Sequence, residues 1–109
     1  MANTYKVLGQ SDPSATTDTN VYTVPAATST VVSTITVCNR NATSATYRIA
    51  IRPNGDAITG KHYIAYDASV LQNDTISLTL GITLATTDVV TVYASSTNVS
   101  FGIFGSEIT

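Results

Sequence analysis

The chain has 109 residues, of which 11% are charged, with five Lys+Arg against seven Asp+Glu and a formal net charge of −2. One domain spanning 1–109 is expected, since a chain of this length has no room for two cores. An acidic chain without a Lys/Arg cluster is a poor nucleic-acid binder, and its apolar runs are too short to span a bilayer.

Hydrophobic residues make up 43%, and 20 Thr, 11 Ser, 11 Val and 9 Ile account for much of the sequence. β-branched side chains are stiff at their first torsion and pack well on a pleated surface, so this richness predicts strands. In chain order, strands are expected at 5–10, 20–24, 31–39, 45–52, 62–67, 75–80, 89–95 and 99–105. Between the first two, 11–20 is rich in Ser, Thr and Asp, and reads as a long surface loop or an arm that orders against a neighbour.

Apolar residues then recur with a period of two. Ile35 and Val37, Ile49 and Ile51, Ile76 and Leu78, Val90 and Val92, and Phe101 and Ile103 fall on shared faces and form the expected core. Turn chemistry separates the runs. Arg52-Pro53-Asn54-Gly55-Asp56 offers Pro to preset one torsion and Asn-Gly to supply positive φ, while Asn39-Arg40-Asn41, Gln72-Asn73-Asp74 and Ser95-Ser96-Thr97-Asn98 mark further turns. No run of ten residues carries a helical stripe. The pattern predicts an all-β fold, an antiparallel sandwich or jelly-roll-like arrangement of about eight strands.

Signals of chemistry are sparse. His62 is the sole histidine, with Asp67 the nearest acid in sequence, and it reads as a half-exposed residue at a strand edge. Cys38 is the sole cysteine and reads as a small strand residue, since one cysteine makes neither an intrachain disulfide nor a multi-cysteine zinc site. No nucleophile elbow surrounds any serine, and His and Asp show no recurring metal-ligand spacing. The expectation is no catalytic residues, no metal and no cofactor. Asn41, Asn73 and Asn98 each begin a glycosylation pattern, but the start Met1-Ala2-Asn3-Thr4-Tyr5-Lys6 lacks the layout of a secretory signal. These patterns are therefore expected to be inert, and the protein to be made in the cytosol.

Six tyrosines without a tryptophan suggest a contact surface, since tyrosine gives rigid area with a polar tip. Within His62-Tyr63-Ile64-Ala65-Tyr66 a regular strand sends the two tyrosines to opposite faces. Tyr63, Tyr66 and Arg52 are the candidate interface residues, with stacking on a sugar ring as one use of the tyrosines.

The blocks Tyr22-Thr23-Val24-Pro25, Val31-Val32-Ser33-Thr34-Ile35, Val37-Cys38-Asn39-Arg40 and Arg48-Ile49-Ala50-Ile51-Arg52-Pro53 follow one another in order. After them come Lys61-His62-Tyr63-Ile64-Ala65-Tyr66-Asp67 and Thr87-Asp88-Val89-Val90-Thr91-Val92-Tyr93-Ala94. Together, from Leu8-Gly9-Gln10 to Phe104-Gly105-Ser106-Glu107, they resemble a family of small structural proteins of tailed bacteriophages. The resemblance implies a place on the virion after synthesis in the host cytoplasm, and brings no catalytic residues. The reading extended from it is a capsid decoration or cement protein that stabilises the shell. The expected partners are the major capsid protein or other virion proteins, with self-association as a trimer or ring. The alternatives are a tail, neck or baseplate component, or a host-glycan-binding module of the virion.

Overall fold

The computed structural model describes residues 2–109. All eight expected strands are present: β1 (Asn3–Ser11), β2 (Thr19–Thr23), β3 (Ser29–Asn39), β4 (Ala45–Arg52), β5 (Tyr63–Val70), β6 (Thr75–Leu84), β7 (Val89–Ala94) and β8 (Val99–Ile108). β6 runs past its expected end because Gly81 is a bulge and not a stop. Thr34 and Val32 of β3 face Thr79 and Ile82, so one extra residue must be absorbed on β6, and Gly81 does so at φ +64°.

Every pairing is antiparallel. β1 pairs with β8, β2 with β7, β3 with β6 and β4 with β5, as in one long hairpin whose turn is residues 53–62. Rolling that hairpin brings β8 onto β3 and β7 onto β4. The result is two four-stranded sheets, β1-β8-β3-β6 and β2-β7-β4-β5, in the strand order of a jelly roll.

The inward faces meet as the alternation predicts for Ile35, Val37, Ile49, Val90, Val92, Phe101 and Ile103, all buried. Tyr47 of one sheet meets Phe101 of the other edge to face, with ring centres 6.4 Å apart. Three expected core residues are only partly buried. Ile76 and Leu78 lie on β6, a sheet edge with one open flank, and Ile51 sits at the end of β4. Val24, Val32, Val70 and Val99 join the core, with Tyr22, Ala45, Leu84 and Ala94.

Of the 11–20 stretch, Ser11 ends β1 and Thr19 begins β2, and the 12–18 connection is fastened to the body. Pro13 is buried, Asp12 pairs with Arg40 at 2.9 Å, and the Thr16 N–H donates to the Ala94 carbonyl at 2.8 Å.

At one end of the sandwich, asparagine amides stitch three turns together. Asn39 is 1% exposed, and its Nδ2 donates to the carbonyls of Thr43 (2.9 Å), Val70 (3.3 Å) and Leu71 (3.2 Å). Its Oδ1 accepts the Asn41 N–H at 3.0 Å. Asn41 Nδ2 in turn donates to Ser96 Oγ and the Thr97 carbonyl, and Asn98 Nδ2 donates to Asn41 Oδ1. Asn54, Gly55, Asn73 and Asn98 all take positive φ, as their turn chemistry predicts. Among the described residues, no buried side-chain nitrogen or oxygen lacks a partner. Replacing Asn39 by Ala strands buried carbonyls from two turns at once. Urea unfolding of Asn39→Ala is expected to show a loss of about 3 kcal/mol, the cost of unsatisfied buried polar groups.

Towards the other end, the Tyr22 hydroxyl lies between Thr30 Oγ1 (2.7 Å) and Glu107 Oε2 (2.6 Å), and Lys6 Nζ holds Glu107 Oε1 at 3.2 Å. Burial, aided by the bond to Glu107, pushes the Tyr22 phenol up to about 12. The Tyr22 hydroxyl, with Lys6 behind it, holds the Glu107 carboxyl below its ordinary value. A carboxyl with a lowered folded pKa stabilises the fold above its unfolded value, and that contribution is lost as pH falls through the folded value. A phenol with a raised folded pKa acts in the opposite sense. The unfolded chain ionises near 10 while the folded chain stays protonated towards 12, so stability falls as pH rises across that interval. Melting curves against pH are expected to show both losses in the parent chain. Tyr22→Phe flattens the alkaline limb and weakens the acid one.

Candidate functional site

The outer face of the β2-β7-β4-β5 sheet carries the aromatic residues nominated by sequence. Arg48 of β4 points outward opposite Tyr93 of β7, its guanidinium carbon 4.2 Å from the Tyr93 ring centre and 4.2 Å from that of Tyr66. Asp67 completes the clamp through two bonds, Nε to Oδ1 at 2.7 Å and Nη2 to Oδ2 at 3.3 Å. The hydrogen bond it donates to Asp67 holds the Arg48 guanidinium charged, its pKa raised further above the ordinary value.

Tyr63 and Tyr66 do not point apart as a regular strand predicts. The β4–β5 register slips between Ile49 and Ala50 and again between Tyr47 and Ile49, and Asp67 takes φ +50°. These bulges rephase β5, so the two rings meet edge to face with centres 4.8 Å apart. Beside them lies an open depression of about 630 Å³, lined by Tyr63, Tyr66, Ile58, Thr59 and Gly60. Tyr66 is 58% exposed.

Arg52, the third nominated residue, lies on the same sheet face but is spent on the fold. Its guanidinium donates to the carbonyls of Gly55 and Asp56 and to Asn20 Oδ1, fastening the 53–56 turn to β2. His62 is a correction to the expected half-exposed edge position. It is buried in a short 3-10 turn ahead of β5, its Nδ1 accepting the Thr59 N–H at 3.0 Å. Asp67 is committed to Arg48. Among the described residues, no three His, Cys, Asp or Glu side chains are grouped as they would be to hold a metal ion.

Arg48, Tyr93 and Asp67 were not singled out from the sequence. Alternation along 45–52 already sets Arg48 on the outer face with Arg52. Tyr93 follows from its place beside inward Val92. Asp67 could not be found that way, because the bulges shift its phase.

The other outer face, on β1-β8-β3-β6, is built from cross-strand rows without charge. One row is Gln10, Gly102, Thr36 and Ser77; the next is Val7, Phe104, Thr34 and Thr79; a third joins Ser100, Cys38 and Thr75. The Phe104 ring lies over Gly102, where a Cβ would come within 2.9 Å of it, so a larger residue at 102 would displace the ring. Shallow depressions of about 380 and 520 Å³ lie on either side of Phe104. The charged residues at their rims, Asp12 and Lys6, are paired with Arg40 and Glu107.

Comparison of the chain with protein-family models, curated proteins and solved structures finds no match.

Proposed function

We propose that this chain is a non-enzymatic structural protein of a tailed-phage virion, bound in repeated copies on the capsid shell as a decoration or cement protein. The observation that carries the reading is the neutral outer face of the β1-β8-β3-β6 sheet, with hydroxyls, Val7 and Phe104 and no charged row. Such a face can be buried against protein without the desolvation cost of a charge, each Å² of apolar area contributing on the order of 25 cal/mol before ordering costs. Multiplied over many copies, contacts of this size hold a shell against internal pressure. The low charge of the chain, 11% against roughly 25% for average domains, agrees with a surface largely covered in the working state. Jelly rolls recur in viral capsid proteins, which is support by analogy of fold. A position on tail, neck or baseplate uses the same face against a different partner.

A second reading, a host-glycan-binding module of the virion, is favoured by one observation. Exposed Tyr66 and its neighbour Tyr63 line an open depression beside Thr59 and Gly60. Ring faces with adjacent hydroxyl and backbone groups suit the apolar face and rim of a sugar.

Two measurements separate these readings. Mass spectrometry of purified particles is expected to find the protein at a fixed ratio to the major capsid protein. Its absence from mature particles would sink the structural reading. Adsorption of the purified protein to host surface polysaccharide, lost in Tyr66→Ala while incorporation into particles persists, would establish the glycan reading.

A further inference from the structure

The four sheet edges are guarded unequally. β2 is only five residues long and slips register between Asn20 and Tyr22. β5 is interrupted by two register slips and carries Asp67. β1 carries Lys6, bulges between Val7 and Gly9, and lies against Val21 of β2 at Gly9. Short strands, bulges and charges are the devices that stop sheet edges from pairing with other chains. β6 is different: ten residues, Thr-Ile-Ser-Leu-Thr-Leu-Gly-Ile-Thr-Leu, without a charge or a proline, and bulged only near Gly81. Along it Leu80 is 51% exposed, and Ile76 and Leu78 are covered from one flank only.

We infer that β6 is a pairing edge whose occupant is β6 of a second copy, antiparallel across a two-fold axis, so that two four-stranded sheets become one of eight. Self-pairing of a strand requires that the strand complement itself, and this one does. About Ser77, Thr75 falls opposite Thr79 and Ile76 opposite Leu78, so apolar meets apolar on the inner face and hydroxyl meets hydroxyl on the outer. A pairing centred on any residue of the strand preserves those faces, whereas a one-residue slip would invert them. Neither edge holds a charge to repel its copy, and Asp74, just before the strand, falls opposite Leu80 and not opposite the other Asp74. Centred on Ser77, the ladder runs from Thr75 to Thr79, roughly 17 Å at about 3.3 Å per residue, which gives an interface below the ~1,200 Å² of standard specific ones and hence a weak, reversible dimer. The 12–18 loop offers no rival exchange, since it is fastened to its own body through Arg40 and Ala94. The inference does not depend on the virion reading.

Sedimentation equilibrium of the full chain, from ~10 µM to ~1 mM, tests it. A monomer–dimer equilibrium is expected, the dimer at twice 11.4 kDa. Ser77→Lys sets two lysines against each other at the two-fold axis and is expected to raise the dissociation constant tenfold or more. Val7→Lys, on the opposite edge strand, is expected to leave it unchanged. Ser77 is exposed, so circular dichroism of the lysine variant should match the parent; if it does not, Thr79→Lys takes its place. Amide exchange at β6 is expected to slow as concentration rises. A monomer at every concentration, a trimer or ring, or a dimer indifferent to both β6 lysines would overturn the proposal.

Discussion

The roll depends on closing turns whose strands lie far apart in sequence, and the Asn39 amide is where that closure is fixed. It reaches the carbonyls of Thr43, Val70 and Leu71, so the β3–β4 and β5–β6 connections share one buried side chain. Asn41 and Asn98 extend the same bonding to the β7–β8 turn. A jelly roll is dominated by non-local pairing, and each pairing must overcome loop-closure entropy before it stabilises anything. Neutral amides suit this task. They satisfy several buried carbonyls at once without the desolvation cost of an ion. The side-chain nitrogens of Asn41 and Asn98, which the glycosylation pattern would engage, are thereby already bonded within the fold.

Strands and turns were legible in the sequence because each rests on local physics. β-branched alternation sets the faces, and Asn-Gly or Asn-Asp supplies the torsions between them. Bulges are not local in that sense. The slips beside Ile49 and the extra residue at Gly81 exist only relative to a partner strand. That is why Tyr63 and Tyr66 read as opposed and yet stack, and why β6 reads as ending at Leu80. His62 was misplaced for a related reason. The residues before it fold into a 3-10 turn over β4, and burial there depends on a connection whose path the strand pattern does not describe. Ile76 and Leu78 have the period of core residues, but period reports the face of a strand and not whether the strand is an edge.

Six of the charged residues are engaged in three ion pairs that each join separate parts of the chain. Lys6–Glu107 ties β1 to the end of β8, Arg40–Asp12 ties the β1–β2 loop to the β3 turn, and Arg48–Asp67 locks the bulge of β5. Exposed pairs of this kind contribute little stability on their own. Their effect here is on geometry: Asp67 holds a left-handed torsion while Arg48, stacked between Tyr66 and Tyr93, fixes where the rings stand. The aromatic face is therefore rigid before anything touches it, and a rigid face loses less entropy on binding.

The same economy of charge has a cost that the outer faces manage. A neutral surface with an open edge such as β6 invites non-specific pairing in a free chain. What restrains it is the choice of Thr and Ser where valine would satisfy strand propensity equally. Thr75, Ser77 and Thr79 keep one face of β6 hydrated, and Thr34 and Thr36 do the same for β3 beside it. A hydroxyl face gives up water readily when a complementary partner supplies hydrogen bonds, and reluctantly when none does. A partner bound on this surface, as proposed above, would be selected by conditional desolvation, which discriminates against imperfect contacts, and not by charge pairing, which would act at longer range and fade with salt.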